Sequence, residues 1–527
     1  MPAHPGRRRY HTTLARTEPA MPSSHPLPPS CHRFSHLASA PDPRSAPRPA
    51  RLLVGAVLAR GRRTVTSRIR AAGLSDGFRP SYTTLATAGR RTDLAAAHRA
   101  HDLVEPLGAG SARPTFARDD TPTERYGRRV RGAGVHHHPT LGPAGGPFAY
   151  GHVWVVLGLL AAHPAWGVVA LPLLARLYVR GKELAGIPAG HRPAFRTEPE
   201  MAVEVVRWAA TWLGVPGKPV WVAADGAYAN APFLKPMRSL GVTVVSRLRR
   251  DSNRRTVPTP RPGRRGRSRI YGEDRIDLAK RGGQRRGWTT GTFAPCGKPT
   301  VKTFVATWRP AGGAIRAVLV DEPKGWVAFF CPDPTADVAD VLGTVAARFA
   351  LEVTFRDVKE VVGAGQQQVG SVAGNVGAFH LCAWAFTTTE AWASGRTADD
   401  PVGHRSGSPW DDGGRRPSHA DERREWLARQ IHAVLRWGRP SRKSRPRGTP
   451  AGPRRLIVRK SRKEQTSWHG KCNPIGPSTL DQRCPTELRS PRTDPHDCFR
   501  HRPDGPVGFG PDAFSSLAGS PLRWFRV

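Results

Sequence analysis

The chain has 527 residues and a formal net charge of +41, with 82 Lys and Arg against 41 Asp and Glu. Hydrophobic residues make up only 38% of it, and it contains 55 Gly and 52 Pro, so part of the chain lacks the apolar surface for a core. So strong a positive charge exceeds what solubility needs and favours a polyanionic partner, with nucleic acid as the leading candidate.

The most apolar stretch of the sequence, residues 153 to 174, is interrupted in its middle by His163 and Pro164. Each half is too short for a membrane-spanning helix, which needs about 20 unbroken apolar residues. The first residues of the chain are basic but contain no apolar core of the kind that a secretory signal requires. We therefore expect no membrane contact and a cytoplasmic protein.

The N-terminal part of the sequence predicts a disordered basic arm followed by helices. Residues 1 to 47 are rich in Pro, Ser and Arg without a sustained period, which is typical of disorder. Within residues 48 to 112, apolar residues recur at helical spacing on both sides of the segment ARGRR, which predicts two helices joined by a tight turn. With Arg62, Arg63 and Arg68 on or beside the second helix, a DNA-binding helix-turn-helix and an ordinary helical pair with a solvated face fit equally well.

Residues 113 to 250 show the element order of an α/β domain. A strand at RPTFARDD is followed by two apolar, β-branched runs that predict a hairpin, then by helix, strand, short helix and strand. Asp119 and Asp120 end the first strand and Asp225 ends the fourth, where α/β folds usually place their active sites. Asp119 and Asp120 point to opposite faces of a continuing strand, so only one of them can serve, and we favour Asp119.

The remaining sequence predicts an insertion, a return to the core and a tail. Residues 251 to 335 begin as a basic loop, which suits phosphates or water, and continue as short strands of an inserted antiparallel β subdomain. Residues 336 to 393 predict the C-terminal helices of the catalytic core, the first of which carries Glu352. Residues 394 to 527 predict a basic, largely disordered tail with one helix, able to grip a nucleic-acid backbone without specifying sequence.

Neither the cysteines nor the histidines form a convincing metal motif. The seven Cys include no CxxC pair. The nearest approach to a zinc site is formed by five residues of the tail: Cys472, Cys484, His496, Cys498 and His501. Their spacing is looser than in known zinc modules, which disfavours such a site. His136, His137 and His138 precede a proline, and we expect them in an exposed turn.

Cleavage or joining of phosphodiester bonds is a reaction in which acidic residues from separate segments would act together. Breaking or joining such a bond requires stabilising an attacking and a leaving oxygen, which a pair of Mg²⁺ ions does well. Mg²⁺ prefers a few carboxylates from different segments together with waters and substrate oxygens. Asp119, or Asp120 in its place, would supply that set together with Asp225 and Glu352, although three acids alone are a weak signal.

Three short segments carry a stronger signal than the acids alone. DDTPTERYG at 119 to 127, VAADGAYAN at 222 to 230 and ALEVTFRDVKEVVGAGQQQ at 350 to 368 resemble the three acidic motifs of the DDE transposases of bacterial insertion sequences. The resemblance extends from about residue 48 to 435, and the predicted insertion before the third acid has a counterpart in one branch of that family. It implies an RNase H-like fold for the catalytic domain.

One subgroup of this family has a Tyr, Arg, Glu and Lys signature around the catalytic glutamate. Arg348, Glu352 and Lys359 fit the spacing of that signature, and Val345 stands where the subgroup has tyrosine. The resemblance implies that Arg348 and Lys359 contact DNA phosphates. As residues on the same helix face as Glu352 they favour that role over plain surface charges.

The resemblance also implies a reaction. The three acids would hold two Mg²⁺ or Mn²⁺ ions, and a nucleoid-associated enzyme would nick the ends of its element with activated water. It would then join the freed 3′ hydroxyl to target DNA, as a homodimer in the DNA complex. Tyr228, Arg247 and Arg249 are further candidates for contact with DNA, although Tyr228 suits the start of a helix equally well.

Other interpretations of the same residues stay open. Asp225 is also a preferred helix N-cap residue. Arg118 directly precedes the aspartate pair, where the family has an apolar residue, so we expect a strained or shifted strand there. Together with termini that resemble nothing else, this favours a catalytically inactive DNA-binding remnant as the alternative function. A structure-selective nuclease on the same fold is a third hypothesis.

Overall fold

The computed structural model describes residues 47–73, 78–101, 111–127, 129–137, 147–163, 167–213, 217–259, 266–293, 296–394 and 418–437. The predicted N-terminal arm, except for its last residue, and the tail beyond residue 437 lie outside the described residues. The same holds for His138 and for the five tail residues considered as zinc ligands.

Twelve strands of the described residues join in one sheet. They are β1 (Thr115–Glu124), β2 (Gly134–His137), β3 (Phe148–His163), β4 (Gly167–Tyr178), β5 (Val220–Ala224), β6 (Val242–Arg247), β7 (Arg254–Arg255), β8 (Arg275–Ile276), β9 (Thr289–Thr290), β10 (Thr300–Trp308), β11 (Gly313–Glu322) and β12 (Gly325–Cys331). Their order is β2-β3-β1-β5-β6-β12-β11-β10-β7-β8, with β4 paired to β3 and β9 to β10. The buried apolar runs of β3 and β4 form the antiparallel hairpin that the sequence predicts.

Eleven α-helices lie among the described residues. They are α1 (Pro47–Leu58), α2 (Val65–Ala71), α3 (Phe78–Arg90), α4 (Thr92–Arg99), α5 (Gly181–Leu184), α6 (Glu198–Trp212), α7 (Ala231–Ser239), α8 (Leu278–Gly283), α9 (Val338–Glu360), α10 (Val372–Ser394) and α11 (His419–Trp437). Helix α6 begins with a capping box, in which the Thr197 and Glu200 side chains each bond the other's backbone N–H. Helix α9 begins after Asp337, whose side chain accepts a hydrogen bond from the Ala339 N–H.

The centre of the sheet has the mixed pairing of an RNase H-like fold. Strand β1 is antiparallel to β3 and parallel to β5, which is in turn parallel to β6. The inserted strands β10, β11 and β12 are antiparallel to one another, as the sequence predicts. They join β6 through β12, where Phe329 pairs with Arg247 and Phe330 with Ser246. The insertion therefore extends the main sheet by satisfying the backbone groups at the β6 edge, which the sequence pattern did not indicate.

Helix α9 lies across the strands that carry the first two acidic motifs. Leu351 is fully buried beneath it, and a Cβ added at Gly158 of β3 would lie 3.2 Å from the Leu351 Cδ1 atom. The Thr354 hydroxyl donates a hydrogen bond of 2.9 Å to the carbonyl oxygen of Ala170 in β4. These contacts fix the rotation of α9 about its axis. Leu351 faces the sheet, and Glu352, the next residue, therefore lies at the side of the helix.

The N-terminal helices share one hydrophobic core with the sheet. Buried residues of α1 to α4 belong to the same cluster as those of β1, β3, β4 and α10. Helix α2 has only 7 residues, and its buried side chains are Val65, Arg68 and Ile69. The helix-turn-helix stays a prediction, and the helices that would form it are packed on the catalytic core.

Helices α3 and α10 cross at a pair of glycines. A Cβ added at Gly377 would lie 2.0 Å from the carbonyl oxygen of Leu85, and one at Gly89 would lie 1.8 Å from that of Ala373. Both distances are far below any real carbon contact, so the two backbones approach each other only because side chains are absent there.

Gly377→Ala should therefore lower the free energy of unfolding by about 1–3 kcal/mol, the usual cost of overpacking. Gly283→Ala is a matched control, because a Cβ at that exposed end of α8 would meet nothing within 4 Å. Thermal unfolding followed by circular dichroism measures both variants. Equal melting temperatures for Gly377→Ala and Gly283→Ala would contradict the close crossing.

Two local expectations have definite outcomes. His136 and His137 lie in strand β2, paired with Ala149 and Phe148 of β3, and the expected exposed turn is wrong for them. The pairing arises because β3 extends beyond β4 and offers a free edge to the segment that begins at Gly134.

No helix among the described residues is long and apolar enough to cross a membrane.

Candidate active site

Two aspartates come to lie side by side because β1 and β5 are parallel neighbours. The parallel pairing of the two strands ends at Arg118 and Ala224, and the next residues are Asp119, which lies within β1, and Asp225, which directly follows β5. The expectation that Asp119 and Asp120 end the first strand is wrong, because β1 continues to Glu124 through its pairing with β3. The Asp225 side chain accepts a hydrogen bond of 3.0 Å from the Ala227 N–H and so caps the short 3₁₀ helix Gly226–Tyr228. The capping interpretation of Asp225 is confirmed, and capping occupies only one of its two carboxylate oxygens.

Glu352 reaches the same region from helix α9. The start of this helix is held by Arg113, whose guanidinium donates two hydrogen bonds, of 2.7 and 2.8 Å, to the Asp340 carboxylate. The same guanidinium lies 4.0 Å from the ring centroid of Trp221 in β5. The N-terminal half of α9 is thus attached to the strand that ends at Asp225, and this places Glu352 over the sheet.

Arg348 joins two of the three carboxylates. One guanidinium nitrogen forms an ion pair with Asp119, and the other lies 2.8 Å from the Glu352 Oε1 atom, one helical turn further along α9. The three side chains are 16%, 17% and 26% exposed, respectively, so the pairs are shielded from water without being sealed off. Asp119 and Glu352 therefore share one guanidinium, which lies between them.

Burial controls the protonation of Asp119. It raises the pKa of this carboxyl from 3.8 to about 6, against the opposing effects of Arg348 and of a hydrogen bond from the Asp120 N–H. The negative charge of Asp225 adds to the rise, as expected for a second carboxylate nearby. A cation placed between them would relieve this repulsion.

Asp120 belongs to a different cluster on the opposite face of β1. Its carboxylate accepts hydrogen bonds of 2.5 Å from Arg118 and 2.6 Å from the Tyr228 hydroxyl. The Arg118 guanidinium is fully buried and lies 3.1 Å from the centroid of the Tyr228 ring. Opposite charges two residues apart on a strand share a face, so this pair was detectable in the sequence. The ion pair with Asp120 explains why an arginine stands at position 118. Strand β1 continues through Arg118 with unbroken pairing, so the expected strain or shift of the strand is wrong.

Two residues predicted to contact DNA are inaccessible. Tyr228 is only 3% exposed, and its hydroxyl donates a hydrogen bond to the Asp120 carboxylate. Its role is therefore to hold Asp120 and not to line a DNA channel. Arg68 is fully buried, and its guanidinium donates hydrogen bonds to the carbonyl oxygens of Val362 and Gly363 at the end of α9. These two placements correct the sequence expectation, because neither group can reach a phosphate from its buried position.

The other predicted DNA contacts are nearer to solvent. Arg62, Arg247 and Arg249 are exposed, and Arg249 pairs with the equally exposed Asp251 on the surface. Arg63 is half-buried and donates a hydrogen bond to the Glu360 carbonyl oxygen at the end of α9. Lys359 is also half-buried, and burial lowers the pKa of its amine.

A cleft opens beside the acids. It is lined by residues of β5, β6, β12 and α9, among them Asp225, Arg247, Val345 and Arg348. Val345, which occupies the signature's tyrosine position, therefore faces the same cleft as the second acid. Because it is a valine, the cleft lacks the hydroxyl that a tyrosine would present there.

The donor set suits a hard divalent cation. Asp119, Asp225 and Glu352 offer only carboxylate oxygens, and they come from three separate elements, as Mg²⁺ and Mn²⁺ sites require. Asp119 and Glu352 both form ion pairs with the Arg348 guanidinium, so the site already stabilises one positive charge. By donor type the three carboxylates therefore fit a divalent metal, although the group of described residues whose three ligand atoms all lie within 4.8 Å of one another is elsewhere in the fold.

The comparison with protein families agrees with this geometry. Residues 43–302 match the family described as DDE superfamily endonuclease. No curated protein matches the chain. The matched segment includes Asp119 and Asp225 and ends before Glu352, so the family match does not cover the third carboxylate. The family is one of nuclease-type enzymes that use divalent metal ions and act on DNA. Residues 43–302 of this chain are therefore similar to the DDE superfamily of endonucleases.

Proposed function

We propose that the chain is the DNA transposase of an insertion sequence, which cleaves the ends of its element and transfers the freed strand to target DNA. The observation that carries the proposal is the convergence of Asp119, Asp225 and Glu352, with Arg348 bound to the first and third. These groups stand on β1, directly after β5 and on α9, so they come from segments that are far apart in the chain.

Each residue has a distinct task in this proposal. Asp119, Asp225 and Glu352 would hold Mg²⁺ or Mn²⁺, which when bound stabilises negative charge on the attacking and leaving oxygens of the phosphodiester. Asp225 keeps its geometry through the hydrogen bond from Ala227, which leaves its second oxygen for ligation. The partial burial of the acids limits the number of competing waters and strengthens every charge interaction within the site.

Arg348 would alternate between two partners. Its planar guanidinium suits a phosphate oxygen pair as well as it suits carboxylates. In the structure it neutralises Asp119 and Glu352, which would otherwise repel each other. With Asp119 and Glu352 holding a cation, Arg348 would be free to bind a DNA phosphate in the cleft that it lines together with Arg247.

The proposed partner is DNA, bound by two protomers. Exposed arginines beside the cleft, such as Arg247 and Arg249, would grip the phosphate backbone, and the net charge of +41 would support binding over a larger surface. Each protomer offers one set of three carboxylates, whereas an element has two ends. A homodimer in the DNA complex would supply one site for each end.

A catalytically inactive DNA-binding remnant is the second candidate. It is favoured by Val345, which removes a side chain that the subgroup uses in the cleft, and by an Arg348 that is engaged with carboxylates. In that case the charge of the protein would still bind DNA, with strong dependence on salt.

Cleavage of three matched DNAs separates these functions. The substrates carry the element ends, scrambled ends of equal composition, or no ends, and each is incubated with Mg²⁺, Mn²⁺ or EDTA. A transposase cuts only the first in the presence of metal and joins it to a second duplex. Equal cutting of all three DNAs indicates a general nuclease, and salt-sensitive binding without cutting indicates the remnant.

Metal-dependent cleavage should rise with pH through about 6. Only the ionised Asp119 can bind a cation, and burial raises the pKa of this group to about 6, so protons compete with metal below that value. The cleavage rate is measured between about pH 5 and pH 7 at a subsaturating Mg²⁺ concentration, with DNA binding at each pH as the control. A rate that is flat across this range while binding is constant would count against Asp119 as a ligand.

The stability of the metal-free protein should change with pH in the opposite sense. Since the folded state holds the Asp119 proton more tightly than the unfolded state, unfolding becomes easier as the pH rises from about 4 to about 6. Added Mg²⁺ should remove this loss at the upper end of the range. Thermal unfolding at both pH values, with and without Mg²⁺, measures the effect.

A further inference from the structure

A second group of metal-ligating side chains lies away from the three active-site carboxylates. Glu390 near the end of α10 meets His419 and Glu422 at the start of α11, and one ligand atom from each residue lies within 4.8 Å of the other two. The three residues are 4%, 3% and 0% exposed. Neither helix contributes an acid to the active site, so this cluster has no part in the proposed cleavage.

Contacts with neighbouring side chains position Glu390 and His419. The His419 Nδ1 atom lies 2.8 Å from the Glu390 Oε1 atom, and the imidazole ring stacks on Phe386 at a centroid distance of 4.3 Å. His419 and Glu422 stand three residues apart on one helix, which puts them on the same face. The Glu390 and His419 side chains are therefore positioned before any ligand arrives, as a metal site requires.

The His419 imidazole has unused bonding capacity. Its Nε2 atom is buried and has no hydrogen-bond partner in the part of the chain that the structure describes. A buried nitrogen of this kind costs free energy unless a ligand or hydrogen bond satisfies it.

We propose that Glu390, His419 and Glu422 form a binding site for a divalent transition metal such as Zn²⁺. Three ligand atoms within 4.8 Å of one another match the spacing of donors around a single ion of this size. The imidazole favours a transition metal over Mg²⁺ or Ca²⁺, which prefer oxygen alone. Three protein ligands leave one coordination position for a water or another group.

The site would fasten helix α11 to the rest of the fold. Glu390 is on α10, the two other ligands are on α11, and residues 395–417 between these helices lie outside the described part of the chain. The Arg423 guanidinium in turn donates hydrogen bonds of 2.6 and 2.5 Å to the carbonyl oxygens of Val57 and Ala59 at the end of α1. A metal at this point would stabilise the helices that would form the helix-turn-helix.

Metal binding is tested in a background that removes the active-site ligands. In the full chain carrying Asp119→Asn, Asp225→Asn and Glu352→Gln, we expect one equivalent of Zn²⁺ per chain by equilibrium dialysis and elemental analysis. Adding Glu422→Gln should weaken Zn²⁺ binding at least about 10-fold, since the amide loses the anionic donor without changing shape. Glu425→Gln on the same helix is the matched control and should bind Zn²⁺ as the background does.

Two further measurements exclude other causes of the result. The absorption spectrum of bound Co²⁺ shows whether cysteines of the tail bind the metal, and circular dichroism shows whether a variant is misfolded. With the cluster unaltered, Co²⁺ should give visible ligand-field bands from nitrogen and oxygen ligands and no thiolate charge-transfer band in the near ultraviolet. Circular dichroism of Glu390→Gln and Glu422→Gln shows whether lost binding accompanies a lost fold. Absence of bound Zn²⁺ in the background protein, equal binding by Glu422→Gln, or a thiolate band would each overturn the proposal.

Discussion

Glu352→Gln should lower metal-dependent DNA cleavage by a factor on the order of 10³ or more while leaving DNA binding and its salt dependence nearly unchanged. Glutamine keeps the size of the side chain but offers no anionic oxygen to a cation. Arg348 retains its ion pair with Asp119, so the local structure of α9 keeps one of its two polar anchors. The expected loss therefore lies in the chemical step and not in folding or in the grip on DNA.

Two further variants sharpen this test. Glu360→Gln makes the same change on the same helix at an exposed position, and it should cleave at the wild-type rate. Asp225→Asn removes a second carboxylate, yet asparagine can still accept the hydrogen bond from Ala227 that caps the 3₁₀ helix. Single-turnover cleavage and filter binding are measured for all variants. Undiminished cleavage by Glu352→Gln would refute its role in the site.

Arg118→Met should lower the free energy of unfolding by about 3 kcal/mol, the lower end of the cost of removing one partner from a buried ion pair. Arg118 is fully buried, and its loss leaves Asp120 with the Tyr228 hydroxyl as its polar neighbour in this cluster. The Asp120 side chain is 27% exposed, which keeps the cost from being larger. Methionine replaces the aliphatic part of the arginine, so little cavity is created.

The pH dependence of this variant identifies the cause of the loss. Burial raises the pKa of Asp120 and the Arg118 charge opposes that rise, so removing the arginine raises the pKa of the carboxyl further. Arg118→Met should therefore be more destabilised at about pH 8 than at acidic pH, because protonation of Asp120 removes the unpaired charge. Arg118→Met combined with Asp120→Asn should recover part of the loss. Arg207→Met on the exposed side of α6 is the control, expected to stay within about 0.5 kcal/mol of wild type.

Local patterns in the sequence predicted most of the elements that position the site. The alternation of buried runs and turn signals located β1, β3, β4, β5 and β6, and the helical period with an N-terminal aspartate located α9. Such signals are local, because backbone propensity and apolar periodicity act over a few residues. The joining of β12 to β6 depends on two strands more than 80 residues apart, as in the pairing of Phe329 with Arg247, and no local pattern encodes it.

The partners of the basic residues were the least predictable part of the site. Arg68 and Arg348 both stand on helices with mixed faces, and nothing in their spacing separates a buried guanidinium from an exposed one. Arg68 is buried because the end of α9 packs against α2 and presents unsatisfied carbonyl oxygens to it. The same uncertainty applied to Tyr228, which is covered because Arg118 stacks against its ring.

By itself, the sequence determined that acids stand on the first strand, directly after a later strand and on a late helix, and that one helix face carries Arg348, Glu352 and Lys359. It also left Asp119 and Asp120 as alternatives, since alternation along a strand says that they differ in face but not which face meets α9. Only the tertiary structure decided this, by placing Arg348 against Asp119 and Arg118 against Asp120. The reason is physical: a carboxylate is directed by the cation that packing brings to it, and packing joins segments far apart in the chain.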